Sequence, residues 1–281
     1  MGAYLMGRIL LGTSSWSAPG WKGTFYPDGM ADAEHLAFYA GRYATVEADV
    51  TYYRIPSAAM VQGWARKTPE EFILSAKFPR SITHAGSGPR PDPTRLLLPE
   101  VIGEDVERFL SVMGLLGPRL GPLVLQFPYF NRQIFSGPQP FLDRLDRFFE
   151  SLPDGFRFAV EVRNPAWLDE PLLAVLKRRG AALVLLDLHY LPHPDGLMDK
   201  MDLVTADFSL VRLIGHRKEV EEKTTRFDRI VLDRSPRLAR WAALLKSLQP
   251  RAEPILVYAN NHYAGHAPAT IDQLAVLMEK E

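Results

Sequence analysis

Eight apolar, strand-like runs recur along this chain, separated by segments whose apolar residues have mostly helical spacing. The runs span 8–15, 45–53, 71–79, 121–128, 156–163, 181–189, 208–215 and 253–262. Such alternation is typical of parallel strands joined by helical crossovers. Eight units within 281 residues predict a (β/α)8 TIM barrel, which usually takes about 250 residues.

Amphipathic helices are predicted between the runs, at 31–43, 57–68, 103–116, 138–152, 171–180, 235–248 and 268–280. The connection at 190–207 is expected to be irregular or briefly helical. A doubly wound open sheet is the rival architecture, but it would usually carry a phosphate-binding glycine turn, and no G-x-G-x-x-G occurs here. Without a linker or a shift in composition, the chain is interpreted as one α/β domain, 1–281.

Composition narrows the classes of function. The 33 basic and 33 acidic residues give a formal charge of +0. A dedicated nucleic-acid-binding protein usually has a basic excess, which this chain lacks, so nucleic acid is not the expected partner. The absence of cysteine excludes disulfides, thiolate metal sites and cysteine nucleophiles, and fits a reducing compartment. No run approaches the roughly 18 apolar residues of a membrane span, and the start of the chain is interpreted as a first strand. We therefore expect a cytoplasmic protein without a membrane partner.

Strand parity places polar side chains inside the predicted barrel. Alternate residues of a barrel strand face the helices and the axis, so in 45–53 the apolar parity faces out, while Glu47 and Asp49 face in. The same argument predicts that ten more side chains face inward: Ser75, Lys77, Gln126, Glu161, Arg163, Asp187, His189, Arg212, Asn260 and His262. All lie in the later halves of their strands, and barrel active sites lie at that C-terminal face.

The loops predicted at this face are long. Loop 80–101 is rich in glycine and proline, and loop 216–236 is heavily charged; long loops in compact domains are often lids or binding loops. The first loop, 16–27, carries four aromatic residues. These aromatics either stack on a ligand ring or cap the barrel mouth, and the sequence leaves both interpretations open.

Several blocks of the sequence resemble the YecE-like proteins, domain-of-unknown-function family seventy-two. The blocks are GTSSWSAPGWKGTFYP, TVEADVTYYRIP, KFPRSITH, LQFP, AVEVRNPAW, VRLIG and YANNH, and they extend from about residue 9 to residue 278. The resemblance implies a TIM barrel, loosely linked to sugar isomerases of that fold, without an established substrate or reaction.

The resemblance also implies characteristic positions. They are Trp16, Trp21, Glu47, Thr51, Tyr53, Arg54, Pro56, Lys77, Thr83, His84, Gln126, Glu161, Arg163, Trp167, Asp187, Arg212, Gly215, Asn260 and Asn261. Three positions depart from the family pattern: Asp49 replaces the usual Asn, Tyr52 the usual Phe, and Ile214 a His. His216 follows the next glycine but need not replace that histidine, so chemistry that requires it is in doubt.

Carboxylates on separate strands are the candidate acid and base. Glu47 and Glu161 would flank a ligand, with Asp187 as a third catalytic candidate, in isomerase- or hydrolase-type chemistry on a sugar or sugar phosphate. The candidate ligand-binding residues are Trp16, Tyr53, Lys77, His84, Gln126, Arg163, Arg212, Asn260 and Asn261. The competing interpretation is an internal ion network, because buried charges must be paired in any case.

Three further alternatives stay open. Lys77, Arg163 and Arg212 could hold a phosphate or carboxylate, which makes a small polar or anionic ligand the expected partner. Asp187 and His189 share a strand face and could bind a divalent metal with nearby acids, although no cofactor is predicted. A non-catalytic ligand- or nucleic-acid-binding barrel is the alternative to an enzyme, and the sequence does not fix the oligomeric state.

Overall fold

The computed structural model describes residues 5–6, 9–86, 88 and 90–279. Eight parallel strands form its sheet: β1 (Ile9–Thr13), β2 (Thr45–Ala48), β3 (Ile73–Lys77), β4 (Leu120–Gln126), β5 (Phe158–Glu161), β6 (Ala182–Leu188), β7 (Ser209–Gly215) and β8 (Ile255–Ala259). Each pairs with the next along the chain, and β1 pairs with β8, Ile9 opposite Ile255. The sheet is therefore closed, and the predicted TIM barrel is confirmed. A two-residue strand, Leu5–Met6, adds an antiparallel pairing to β1.

Helices lie between the strands of the barrel. Those described are α1 (His35–Ala40), α2 (Ala58–Lys67), α3 (Arg80–Thr83), α4 (Pro99–Met113), α5 (Pro138–Glu150), α6 (Glu170–Arg179), α7 (Asp195–Met198), α8 (Arg217–Glu221), α9 (Ser235–Leu248), α10 (Asn261–Ala264) and α11 (Ala267–Glu279). Local signals set several ends: the Ser57 hydroxyl accepts from Met60 N at 3.2 Å, and Gly180 closes α6 with a φ of 60°. None of the described helices is both long and apolar enough to span a bilayer.

The predicted strands and helices are all present, with shifted ends. The second strand is the largest correction, since it stops at Ala48 and Asp49–Tyr52 forms a 3-10 helix. The Thr51 hydroxyl bonds Ala48 O and Lys77 O, both at 2.8 Å, and accepts from Lys77 N. The Thr51 side chain thus occupies the backbone groups of Lys77 that a longer β2 would pair with, so β2 ends at Ala48. Arg8 and Lys280, the predicted ends of a strand and a helix, lie outside the described residues.

Apolar side chains fill two layers on either side of the strands. The larger core lies between strands and helices, and a smaller one fills the lower barrel with Leu10, Val124, Val184, Leu210 and Tyr258. Strands approach closely there: a Cβ on Gly12 would lie 2.0 Å from Thr45 O. Because apolar residues fill the lower barrel, the charged inward residues gather in its upper, C-terminal end.

Candidate ligand site at the barrel mouth

Arg212, from β7, lies at the centre of the charged layer. Its Nη2 donates to Glu47 Oε2 at 2.9 Å, and its Nη1 donates to Glu161 Oε2 and, at 3.0 Å, to Gln126 Oε1. Glu47, Glu161 and Arg212 are all buried. One guanidinium therefore bridges the two carboxylates that the sequence proposed as acid and base.

Two further cations complete the network. Arg163 Nε donates to Glu161 Oε1 at 2.7 Å, and Lys77 Nζ lies 3.5 Å from Glu47 Oε2 and in direct contact with Asp49. Asp49, Glu47 and Glu161 thus face Lys77, Arg163 and Arg212, and the formal charges of the six cancel. The inward orientation predicted for these six residues and for Gln126 is confirmed.

The cations keep Glu161 ionised. Burial alone would raise its pKa, but Arg212, Arg163 and Lys77 outweigh burial and lower it to about 2. Burial alone would lower the pKa of Arg212, but Glu161 and Glu47 outweigh burial and raise it above its ordinary value. A carboxyl group with so low a pKa is a poor general acid and a weak base near neutrality.

A cavity of about 550 Å³ opens above this layer. Its lining combines strand ends with loop residues: Asp49, Tyr52, Tyr53, Lys77, Gln126, Arg163, Leu188, His189, Arg212, Ile214, Gly215, His216, Arg217, Lys218, Glu221, Asn260 and His262. Glu47 and Glu161 are absent from that lining because Arg212 and Arg163 lie between them and the cavity. The lining therefore presents five Lys and Arg side chains together with the carboxylates of Asp49 and Glu221, while Glu47 and Glu161 lie outside it.

Arg163 differs from Arg212 in the use of its donors. Its Nε is held by Glu161, whereas its Nη1 and Nη2 have no acceptor among the described residues, and 26% of its side chain is exposed. A guanidinium fixed at one edge and open at the other is suited to bind carboxylate or phosphate oxygens.

Asp187 does not join this network, and the inward orientation predicted for it is wrong. It lies on the outer face of β6, where its carboxylate accepts from Trp241 Nε1 at 2.6 Å and Tyr263 OH at 3.0 Å. Arg237, also from α9, donates to both oxygens, at 2.7 and 2.9 Å. Strand β6 is buried on both faces, so alternation of apolar and polar residues could not reveal which face held the acid.

Three predicted ligand-binding residues lie outside the cavity lining. Trp16 packs against the hydrophobic core, with its ring 5.5 Å from that of Trp64. Asn261 Oδ1 accepts from Trp21 Nε1 at 3.1 Å and from Ala267 N at 2.9 Å, which connects the first and last loops. His84 is buried rather than solvated: its Nε2 lies 3.4 Å from Tyr52 OH, and burial lowers its pKa to about 4.

The predicted residues that do reach the cavity include Tyr53, on the rim, and Asn260. The sequence singled out Tyr52 only as a departure from the family pattern and did not single out Leu188, Arg217, Lys218 or Glu221, all of which line the cavity too. The charge of loop 216–236 indicated this region, but α8, which carries the last three, was not predicted.

His262 lines the cavity and has a hydrogen-bond partner at each ring nitrogen. His262 Nε2 lies 3.1 Å from Glu221 Oε1, and its Nδ1 lies 2.8 Å from Asn260 Oδ1, so the imidazole is oriented within the lining.

The acids and the histidine considered as metal ligands do not converge on one point, because Asp187 faces away from Glu47, Asp49 and Glu161. Within the described ranges, no group of three or more His, Asp or Glu side chains is arranged to hold a metal ion.

Relatives of this chain are recognisable in sequence and structure. UPF0759 protein YecE of Escherichia coli K12 is 29% identical over 225 residues, 74% of each chain. UPF0759 protein YunF of Bacillus subtilis is 22% identical and covers 97% of this chain and 95% of its own.

Solved structures show the same fold. A DUF72 family protein from Thermotoga maritima has a TM-score of 0.67 and 25% identity, covering 97% of this chain and all of its own. Another from Enterococcus faecalis has a TM-score of 0.71 and 21% identity, covering 97% and 96%. The family model described as "Protein of unknown function DUF72" matches residues 10–281, and the chain therefore belongs to the DUF72 family.

Proposed function

We propose that this protein binds a small anionic ligand, of sugar-phosphate type, in the cavity at the barrel mouth. The observation that carries the proposal is the guanidinium of Arg163, which is oriented by buried Glu161 while its two Nη groups face no protein acceptor among the described residues. Charge-assisted, bidentate hydrogen bonds to phosphate or carboxylate are the interactions such a group makes best.

The buried acids acquire a role in this proposal. Glu161 fixes Arg163 at its Nε and, together with Glu47, holds Arg212 beneath the cavity. Preorganised donors lose less conformational entropy on binding. Catalysis by Glu47, Glu161 and Asp187 stays a prediction. The guanidinium bridge between Glu47 and Glu161 and the lowered pKa of Glu161 support positioning of cations better than proton transfer.

The remaining lining suits a polyhydroxylated ligand. Gln126, Asn260, Tyr53 and the histidines supply further hydrogen-bonding groups around the cations. A volume of about 550 Å³ lies within the range of small-molecule sites, roughly 300–1,000 Å³. Enzymatic turnover of isomerase or hydrolase type is the finer form of this proposal, and it presupposes binding.

Calorimetric titration with glycerol 3-phosphate and glucose 6-phosphate, each against its neutral parent, tests the proposal. Both phosphates should bind more tightly than glycerol or glucose. Arg163→Gln should weaken phosphate binding by about 10-fold or more, because a hydrogen bond to a charged group is worth about 1.5–3 kcal/mol. Arg163→Lys should retain part of the affinity.

Arg108→Gln is the matched control, since Arg108 is an exposed arginine on α4 outside the cavity lining. Thermal unfolding would establish that each variant is folded. Equal binding of the neutral parents, or unchanged phosphate affinity in folded Arg163→Gln, would contradict the proposal.

A further inference from the structure

Exposed aromatic rings are concentrated at the barrel mouth. Among the described residues, the large hydrophobic side chains classed as exposed include three aromatics: Tyr53 at 66%, Tyr129 at 60% and Tyr190 at 43%. The other four are the aliphatic Val50, Val101, Leu115 and Val276. Leaving a large ring in water forgoes the free energy of its burial, so a cluster of such rings at one face indicates an interaction.

Each exposed tyrosine follows a different strand at the same end of the barrel. Tyr53 follows β2, Tyr129 follows β4 and Tyr190 follows β6. The strands between them, β3 and β5, end in or near the cations Lys77 and Arg163. Because β2 to β6 are consecutive neighbours in the sheet, half of the mouth alternates tyrosine, cation, tyrosine, cation, tyrosine.

Arg163 acts electrostatically on two tyrosines of the mouth. Burial raises the pKa of the Tyr190 hydroxyl; Arg163 opposes that rise, while Glu161 and Tyr129 add to it. Burial also raises the pKa of Tyr52, and Arg163 opposes that rise. The ring of Tyr52 meets that of Tyr53 edge-on at 5.4 Å, and the ring of Tyr190 meets that of His189 edge-on at 5.0 Å. These contacts hold the rings in place, and Tyr53 and Tyr190 remain exposed.

We infer that the ligand joins a ring to its anionic group, with the ring extending beyond the cavity lining onto Tyr129 or Tyr190 at the barrel mouth while Arg163 binds the anion within the cavity. This inference rests on the proposed function and specifies its ligand class. Two sources supply the same chemistry: a pyranose ring, whose C–H face packs on an aromatic face, and a nucleoside base, which stacks on it.

Three phosphate monoesters separate these possibilities by calorimetry on the full chain. Glycerol 3-phosphate has no ring, glucose 6-phosphate has a pyranose, and adenosine 5′-monophosphate has a base. We expect at least one ring-bearing ligand to bind about 5-fold or more tighter than glycerol 3-phosphate, as one stacking contact provides. A preference for the glucose ester identifies the pyranose source, and a preference for the adenosine ester identifies the base.

Variants assign the ring preference to the tyrosines. Tyr129→Ala or Tyr190→Ala should remove most of the ring preference while leaving the affinity for glycerol 3-phosphate within about twofold. Replacement of the sensitive tyrosine by Phe should preserve the preference. Leu115→Ala, which shortens an exposed apolar side chain elsewhere, should change neither affinity.

The outcomes distinguish the inference from the function on which it rests. If all three esters bind equally through Arg163, or if the ring preference survives both Tyr→Ala variants, the ring inference is overturned and the anion site stands. If none of the esters binds wild-type protein, both are overturned.

Discussion

Two buried carboxylates near the ends of neighbouring strands have opposite surroundings. Glu161 of β5 faces the barrel axis, where Arg212 and Arg163 bind it beneath an open cavity. Asp187 of β6 faces the helices, where Trp241, Tyr263 and Arg237 bind it. Both oxygens of each acid accept hydrogen bonds, yet Glu161 orients Arg163 by its Nε alone, whereas Asp187 connects strand to helix. The difference lies in the face of the strand from which each side chain projects.

The comparison separates site from scaffold. Arg237 has its Nε and Nη2 on Asp187, so the salt bridge engages two of its three nitrogens. Arg163 has its Nη1 and Nη2 still available. The two pairs thus differ in how much of the cation the carboxylate engages and in the size of the cavity that the cation lines, about 550 Å³ for Arg163 and about 220 Å³ for Arg237.

Arg212→Met gives the largest effect predicted from this comparison. The substitution would leave Glu47 and Glu161 in the barrel without their shared guanidinium. Removing one partner of a buried ion pair typically costs about 3–5 kcal/mol in the free energy of unfolding. Urea denaturation of the variant would measure the loss.

A compensating variant keeps this prediction informative if Arg212→Met fails to fold. Adding Glu47→Gln removes the one uncompensated charge, because Lys77 still pairs with Asp49 and Arg163 with Glu161, so it should recover most of the lost stability. A loss below about 1 kcal/mol in the single variant would mean that the carboxylates are solvated, and the contrast with the scaffold pair would fail.

The barrel and the inner charged layer were predictable because strand order and parity follow from the residue pattern. Glu47, Lys77 and Arg212 each have apolar neighbours along the strand, which indicate the outer face. Asp187 lies in the run LVLLDL, where both faces are apolar, so parity carried no information there. Its partners Trp241 and Tyr263 lie more than 50 residues away, and no local signal could identify them.

The exposed tyrosines of the barrel mouth were harder to predict for a different reason. Tyr129 and Tyr190 lie in loops, where side-chain direction follows from backbone turns rather than from a period of two residues. Asp49 and Tyr53 reached the mouth, but by a 3-10 helix that ends β2, not by continued extension. Only the closed structure shows that these loops alternate with strand-end cations around one half of the mouth.

The dependence of the unfolding free energy on pH, measured below neutrality, tests the Glu161 half of the comparison. Its pKa falls from the usual 4.5 in the unfolded chain to about 2 in the fold, so the folded state binds protons less readily. The resulting stabilisation is fully present above about pH 5 and is lost as pH falls toward about 2. Its size is about 3 kcal/mol, at 1.36 kcal/mol per pKa unit.

Urea denaturation at a series of pH values checks this expectation. Glu161→Gln should make the unfolding free energy less dependent on pH between about 5 and 2 than it is in the wild type. Exposed Glu107→Gln, on α4, serves as the control and should retain the wild-type slope. An unchanged slope in Glu161→Gln would show that Arg212 does not hold Glu161 ionised.

Asp187→Asn should produce the smallest loss of stability and test the scaffold half of the comparison. Asparagine keeps an acceptor for Trp241 and Tyr263 but loses the charge opposite Arg237, which is partly exposed and can turn toward water. We expect a loss of about 2 kcal/mol in unfolding free energy and no change in the affinity for glycerol 3-phosphate. Urea denaturation and calorimetry on the same variant measure both quantities. A loss of affinity with little loss of stability would place Asp187 in the ligand site and remove the distinction between the two acids.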